Sequence, residues 1–343
     1  MNPTYFLGVD GGGTKTLALI ADADGRIVGA ARGPGSNWTE EDPSVPMAVV
    51  VDVTRDALAA AGLAGDEIGL GVFALAGADW PEDHTRREVI LRKADLARDL
   101  RVKNDSFAGL RAGTRERYGV VILAGTERNA AVIAPDGREI ALGYYATYGG
   151  AKTIAAEALD AVVRAEAGLG PPTALTAIVL ELLGFDTVEA MFRAALGGRI
   201  PEADRLRLCP PVFEAAAASD AVAAGILIKQ AQALSGYAIA LARRCGMLEL
   251  AFDVVLSGSV FKGVGPLLIE TITREIARVA PRARVIRPAF EPVVGSLLLA
   301  YDAAGIDVTG AILENVAATL PGAPFFDTQD GRGYRPMQRL SGI

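Results

Sequence analysis

Two cysteines and one histidine in 343 residues leave little material for thiol or metal chemistry. Cys209 and Cys245 are too few for a disulfide framework or a structural zinc site. The single His84 excludes any mechanism that needs two imidazoles. Basic runs are missing as well: 34 Lys and Arg stand against 41 Asp and Glu, a formal net charge of −7. No stretch reaches the cationic density that binds a phosphate backbone, so no nucleic-acid partner is expected. Apolar stretches are broken by Gly, Pro or charge before ~18 residues, so no transmembrane helix and no membrane partner is expected. The opening MNPTYFLGVD lacks a basic region followed by an apolar leader core, and reads as a first strand. What is present is 51% hydrophobic and 22% charged residues without a low-complexity linker. At ~100–200 residues per domain this predicts an acidic, cytoplasmic, two-domain protein with a full core.

The most informative feature is an internal repeat. TYFLGVD ends at Asp10 and is broken by Gly11, Gly12 and Gly13; TKTLALIADADG then runs to an Asp24-Gly25 turn, and RIVGAAR returns. The same plan recurs in VVILAG, TERNAAVIAPDG and REIALGYY. An ungapped offset of 112 aligns Gly13 with Gly125, Thr14 with Thr126, Asp24 with Asp136 and Gly25 with Gly137. Two such units, each followed by helices and further strands, imply two related α/β domains facing one another, with glycine turns meeting across a cleft. Between the repeats, VPMAVVVDVTRDALAAAGL and DHTRREVILRKADLARDL have helical spacing, and IGLGVFALAGAD reads as a strand. RVKNDSFAGLRAG is a strand turning into a helix at Asp105. An Ala-rich helical region follows over 151–248, broken by loops at GLGPP and CPPV. AFDVVLSGSVFKG and RARVIRP are strands, and EPVVGSLLLAYDAAG is a helix. The boundary is expected near residue 115: an N-terminal domain of 1–115, joined by about 300–343, and a C-terminal domain of 116–299.

DGGGTKT joins two strands, which excludes the P-loop and the Rossmann fingerprint, both of which open a helix. It offers backbone N–H groups unobstructed by Cβ atoms, flanked by Thr14, Lys15 and Thr16, a nest suited to phosphate oxygens. A wide hairpin loop is the plainer alternative. Asp10, at the strand end, is placed to hold a water of Mg²⁺, an ion that keeps several waters. LAGTERN carries the partner turn with Gly125 and Thr126, and LSGSVFKG a third, with Gly258 and Ser259 suited to a nucleobase or ribose. Asp105 is either a general base for a hydroxyl proton or the N-cap of the helix it starts. Asn37 and Trp38 form a loop able to hydrogen-bond and stack a sugar, or simply an exposed loop. Asp79 is a hydroxyl ligand or an N-cap, and His84 a surface or capping residue.

In this order and spacing, FLGVDGGGTKT, VKNDSFAGL, VVILAGT, DVVLSGSVF and PVVGSLLLA resemble the BadF/BadG/BcrA/BcrD-type ATPases, and within them the N-acetylglucosamine kinase branch. The resemblance covers roughly residues 5–320. It implies two ribonuclease-H-like domains of the actin-like ATPase fold, with ATP and Mg²⁺ in a nucleotide cleft between them. By resemblance, Asp10 is the metal-holding aspartate of the phosphate motif, and Gly12, Gly13, Thr14 and Lys15 form its turn. Thr126 belongs to the second phosphate motif, and Gly258 and Ser259 to the nucleoside turn. Asp105 becomes the catalytic base, and Asn37, Gly77, Ala78, Asp105, Thr126 and Tyr145 line the sugar.

Two departures are specific to this chain. Thr126 is followed by Glu127 and Arg128 where the kinases have Gly-Ser. LGYYATYGGAKT places Tyr144, Tyr145, Thr147 and Lys152 where the family has a tryptophan and an acidic pair. Arg128 and Lys152 read as extra positive charge for phosphate or an anionic substrate, or as marks of lost transfer. The resulting expectation is an ATP-dependent kinase phosphorylating a hydroxyl of a small-molecule sugar, an amino sugar or N-acetylated hexosamine. The alternatives are a degenerate nucleotide- or sugar-binding protein and an ATPase activator of an acyl-CoA reductase or dehydratase. A homodimer through the Ala-rich helices is left open.

Overall fold

The computed structural model describes residues 5–38 and 43–327, apart from the side chain of Tyr144. Among these residues the chain divides into two compact units. One runs to Arg115 and resumes at Ala289; the other spans Glu116–Pro288.

The first unit is built on β1 (Tyr5–Gly11), β2 (Lys15–Ala21), β3 (Ile27–Pro34), β4 (Ile68–Leu75) and β5 (Asp99–Asn104), with α1 (Ser44–Ala61), α2 (Pro81–Arg92) and α3 (Asp105–Gly113). Its sheet has the order β3-β2-β1-β4-β5. The hairpin strands pair antiparallel, while β4 lies parallel to both β1 and β5. Apolar residues dominate β2 and β4, and both are buried almost throughout, as strands covered on both faces must be.

The second unit repeats that plan. Its strands are β6 (Gly119–Ala124), β7 (Arg128–Ile133), β8 (Glu139–Ala141), β9 (Phe252–Ser257) and β10 (Ala283–Ile286), in the order β10-β9-β6-β7-β8. Between β8 and β9 stand α4 (Gly150–Glu166), α5 (Leu175–Leu183), α6 (Val188–Leu196), α7 (Glu202–Leu206), α8 (Cys209–Ala217) and α9 (Ala221–Arg244); α10 (Leu267–Ala277) precedes β10. Apart from α7, their Ala, Leu and Ile side chains form one core with β6, β7 and β9. Two final helices, α11 (Pro292–Ala303) and α12 (Gly310–Thr319), belong to the first unit; α11 packs on α3 and β1.

The repeat is therefore real in three dimensions, down to its Asp-Gly turns. Asp22 N–H donates to Arg26 O and Gly25 N–H to Asp22 O; 112 residues later Ala134 N–H donates to Arg138 O and Gly137 N–H to Ala134 O. Gly25 and Gly137 share left-handed backbones, φ 88° and 83°. The ungapped alignment fails by one residue at the glycine turn. Gly11 pairs with Thr16, leaving Gly12–Lys15 between them, whereas Ala124 pairs with Arg128, leaving only Gly125–Glu127.

Two local expectations need correction, and one alternative falls. CPPV is no loop: α8 starts at Cys209, with proline in its first turn. A first-turn proline lacks only an N–H that has no helical partner there. The helix expected over DHTRREVILRKADLARDL stops at Arg92, and Asp95 is left-handed at φ 53°. Residues 99–104 then pair with β4 as β5. Asp105 does not cap α3; Asn104 does, its Oδ1 accepting from Ser106 N–H at 3.1 Å. Of the C-terminal segment, residues 321–327 carry a short 3₁₀ turn, Ala323–Phe325, and residues 328–343 lie outside the described residues. No single helix among the described residues is long and apolar enough to cross a membrane.

Candidate active site

In the first unit the ends of β1, β4 and β5 bring three acids together. Asp10 is the next-to-last residue of β1, just before the glycine turn, where Gly12 N–H donates to Lys15 O at 3.0 Å and Ser36 N–H to Gly12 O at 2.9 Å. Burial pushes the Asp10 carboxyl up to about 7; the neighbouring Asp105 and Glu291 add to the rise, and Lys15 opposes it. Asp105 opens α3. Burial, with Asp79 next, pushes it up to about 6, against the lowering effect of the Ser106 N–H and its own. Asn104 links the pair from below: Nδ2 donates to Asp79 Oδ1 at 2.8 Å while Oδ1 caps the helix. Asp79 is itself raised by burial and by Asp83, and lowered by Arg87, His84 and the Asn104 amide.

The residues expected to line a sugar gather beside these acids. Gly77 is left-handed (φ 74°), and a Cβ there would lie 2.5 Å from Trp38 O and 3.2 Å from Asn37 Oδ1. The Asn37 Cβ in turn sits 4.0 Å from a Cβ built at Gly13. The loop after β3, the turn after β4 and the phosphate turn therefore meet at one point. Beneath them lies Arg87, 1% exposed, which sequence reasoning missed. Its guanidinium lies 4.4 Å from the Trp38 ring centroid and donates to the carbonyls of Trp38 and Ala76 at 3.5 Å and of Asp83 at 3.3 Å. An Arg four residues after Asp83 looks in sequence like any solvated helix pair, so nothing marked it. His84 was expected at the surface or as a cap; it is half-buried, and its Nε2 pairs with Ala78 O at 2.9 Å.

Lys15 turns away from the glycine turn. Its Nζ donates to the Phe326 carbonyl and lies 3.9 Å from Glu291, so its charge reaches Asp10 as a background field. The donor set nonetheless fits a hard divalent cation. Asp10, Asp105 and Glu291 crowd negative charge that Lys15 offsets only in part, and Mg²⁺ needs only one or two carboxylates beside water and phosphate.

In the second unit the Gly125–Thr126 turn is tied to the start of α4, where Ala151 N–H donates to Gly125 O at 2.8 Å and Lys152 N–H to Thr126 O at 3.2 Å. Gly258 packs flush on the end of β6, since a Cβ there would lie 2.3 Å from Ala124 O, and Ser259 opens a 3₁₀ turn beyond it. The second and third small-residue turns thus adjoin. Tyr145 is exposed in the turn Gly143–Tyr145. Glu127, Arg128 and Lys152 form an ion cluster: Glu127 pairs with Arg128 and, at 2.7 Å, with Lys152, which also meets Glu202 at 3.1 Å.

Two sheets of this order, each with a glycine turn beside its first strand, define an actin-like ATPase fold. The family model of the BadF/BadG/BcrA/BcrD ATPases matches residues 7–300, and the chain belongs to that family. It is 24% identical to an N-acetyl-D-glucosamine kinase of Dictyostelium discoideum, over 88% of this chain and 99% of that one. An N-acetylmuramic acid/N-acetylglucosamine kinase of Clostridium acetobutylicum is 22% identical over 86% and 98%. Among solved structures, an N-acetylglucosamine kinase so named from Chromobacterium violaceum superposes with a TM-score of 0.65 at 24% identity, covering 87% of this chain and 99% of that one.

Proposed function

We propose that this chain is an ATP-dependent kinase that phosphorylates a hydroxyl of an amino sugar or N-acetylated hexosamine in the cytoplasm. The observation that carries the reading is Asp105: a carboxylate at the mouth of a helix, raised to about 6, beside the loops of Asn37, Gly77 and Ala78. Family membership supplies ATP as the phosphoryl donor, and the kinases named above support the sugar as acceptor.

The residues divide the chemistry as follows. Asn37 and the Gly77–Ala78 backbone orient the sugar, and Asp105 accepts the proton of the reacting hydroxyl as its oxygen bonds to the γ-phosphorus and the bond to ADP breaks. A base with a pKa near 6 is ionised at neutral pH yet basic enough to take that proton. The N–H groups of Gly13 and Thr14 face phosphate oxygens, the Gly12 N–H being held by the Lys15 carbonyl, and Thr126 adds a hydroxyl at the second turn. Gly258 and Ser259 admit the nucleoside. Asp10 would hold Mg²⁺, which would supply charge neutralisation on the triphosphate. Positioning and charge stabilisation carry most of such a transfer. Arg87 and His84 fix the sugar loops from below.

Both cysteines are buried in the core of the second unit, which disfavours a shared surface cluster and with it the acyl-CoA activator reading. The test is ADP release from Mg-ATP against free sugars, amino sugars, N-acetylated sugars and N-acetylmuramic acid. Strong release with one amino or N-acetylated sugar is expected. Release with none, while ATP still binds, would overturn the kinase and leave a binding protein.

A further inference from the structure

The cluster at the second phosphate turn is asymmetric. Arg128 has a second tether, Nε donating to Ala146 O at 2.6 Å, and Lys152 has one in Glu202 at 3.1 Å. Glu127 has none: among the described residues its carboxylate meets only those two cations. The turn's backbone is stitched to the start of α4, and a Cβ at Gly150 would lie 2.7 Å from Glu127 O. Backbone and cations are therefore fixed, and the half-exposed Glu127 side chain is the one member able to leave.

We propose that the Glu127 carboxylate is an internal anion occupying a phosphate subsite formed by Arg128 and Lys152, and that a phosphate oxygen of the bound nucleotide displaces it. This deepens the kinase reading and rests on it, since it is the nucleotide that brings the competing anion. The exchange replaces one anion by another between the same two cations. Exposed ion pairs are individually weak, so the latch opens at modest cost and sets nucleotide affinity. It also explains how a chain with Glu-Arg at this turn keeps a phosphate site there: Arg128 and Lys152 supply in side-chain charge what a small-residue turn supplies in backbone access.

The test is titration calorimetry of Mg-ATP, tripolyphosphate and adenosine with wild type, Glu127→Gln, Lys152→Gln and the double variant, with thermal melts to confirm folding. Glu127→Gln is expected to bind Mg-ATP and tripolyphosphate about two- to tenfold more tightly, with adenosine unchanged. Lys152→Gln is expected to bind both phosphates more weakly, and the gain from Glu127→Gln is expected to shrink in the double variant. If wild type binds Mg-ATP and Glu127→Gln binds it equally or less well, the latch is overturned and the kinase reading stands. If neither protein binds ATP, both fall.

Discussion

In the first unit four residues, Gly12–Lys15, separate the last paired residues of the hairpin, and Asp10 pairs with Leu17. In the second, three residues suffice, Gly125–Glu127, and the position of Asp10 is taken by Leu123, paired with Asn129. Sheet order, Asp-Gly turns and strand directions are otherwise the same. The first unit keeps its charge as half-buried carboxylates pushed towards neutrality, the second as partly exposed cations tethered by glutamates. Duplicating a fold copied the backbone scaffold; what each copy does chemically was decided by a handful of side chains at one strand end.

The comparison can be broken at the acids first. Asp105→Asn removes the proposed proton acceptor and is expected to lower kcat by about 10²–10⁴-fold, read as sugar-dependent ADP release. Full activity would show that the raised carboxylates of the first unit are structural. The matched glycines come next. Gly25→Ala strains a left-handed residue and drives its Cβ to 2.6 Å from Ile312 O, an expected loss of about 2–4 kcal/mol. Gly137→Ala meets nothing within 4 Å and is expected to cost about 1 kcal/mol. Equal losses in denaturant melts would mean that α12 gives way freely over the first hairpin.

Asp10 tests the electrostatics. Its folded pKa of about 7 lies above the ordinary 3.8, so the folded state holds a proton that the unfolded chain releases between those values. Stability from this group is present below pH 4 and lost as pH rises through 7. Asp10→Asn is therefore expected to stabilise the protein by about 1–3 kcal/mol at pH 8, with the gain vanishing near pH 4, while impairing turnover. A pH-independent gain would contradict the burial argument. The smallest effect is on wild-type rate: kcat/KM is expected to fall as pH drops below about 6, where Asp105 takes up its proton.

Much of this was legible in the sequence because it is local. Glycine between strands, Asp-Gly turns and strand-to-helix junctions announce themselves within ten residues, and repetition at one offset tied them into two units. What escaped depends on contacts distant in sequence or on a single competing residue. Asn104, one position early, took the cap that was the plainer alternative for Asp105. Lys15 was drawn to Phe326, 311 residues away. The shorter second turn left the sequence identities from the turn onward untouched and so was invisible until the strands were paired. Arg87 lies on a polar helix and is buried where Trp38 and the turn after β4 fold over it.

The division of labour between acids and phosphate turns is tested most directly by the Mg-ATP affinity of the Asp105→Asn protein, measured by calorimetry beside its kcat. The expected result is a Kd within about threefold of wild type despite the large loss of turnover. A loss of nucleotide binding as large as the loss of turnover would contradict it, and would make Asp105 part of the nucleotide site rather than the base of the reaction.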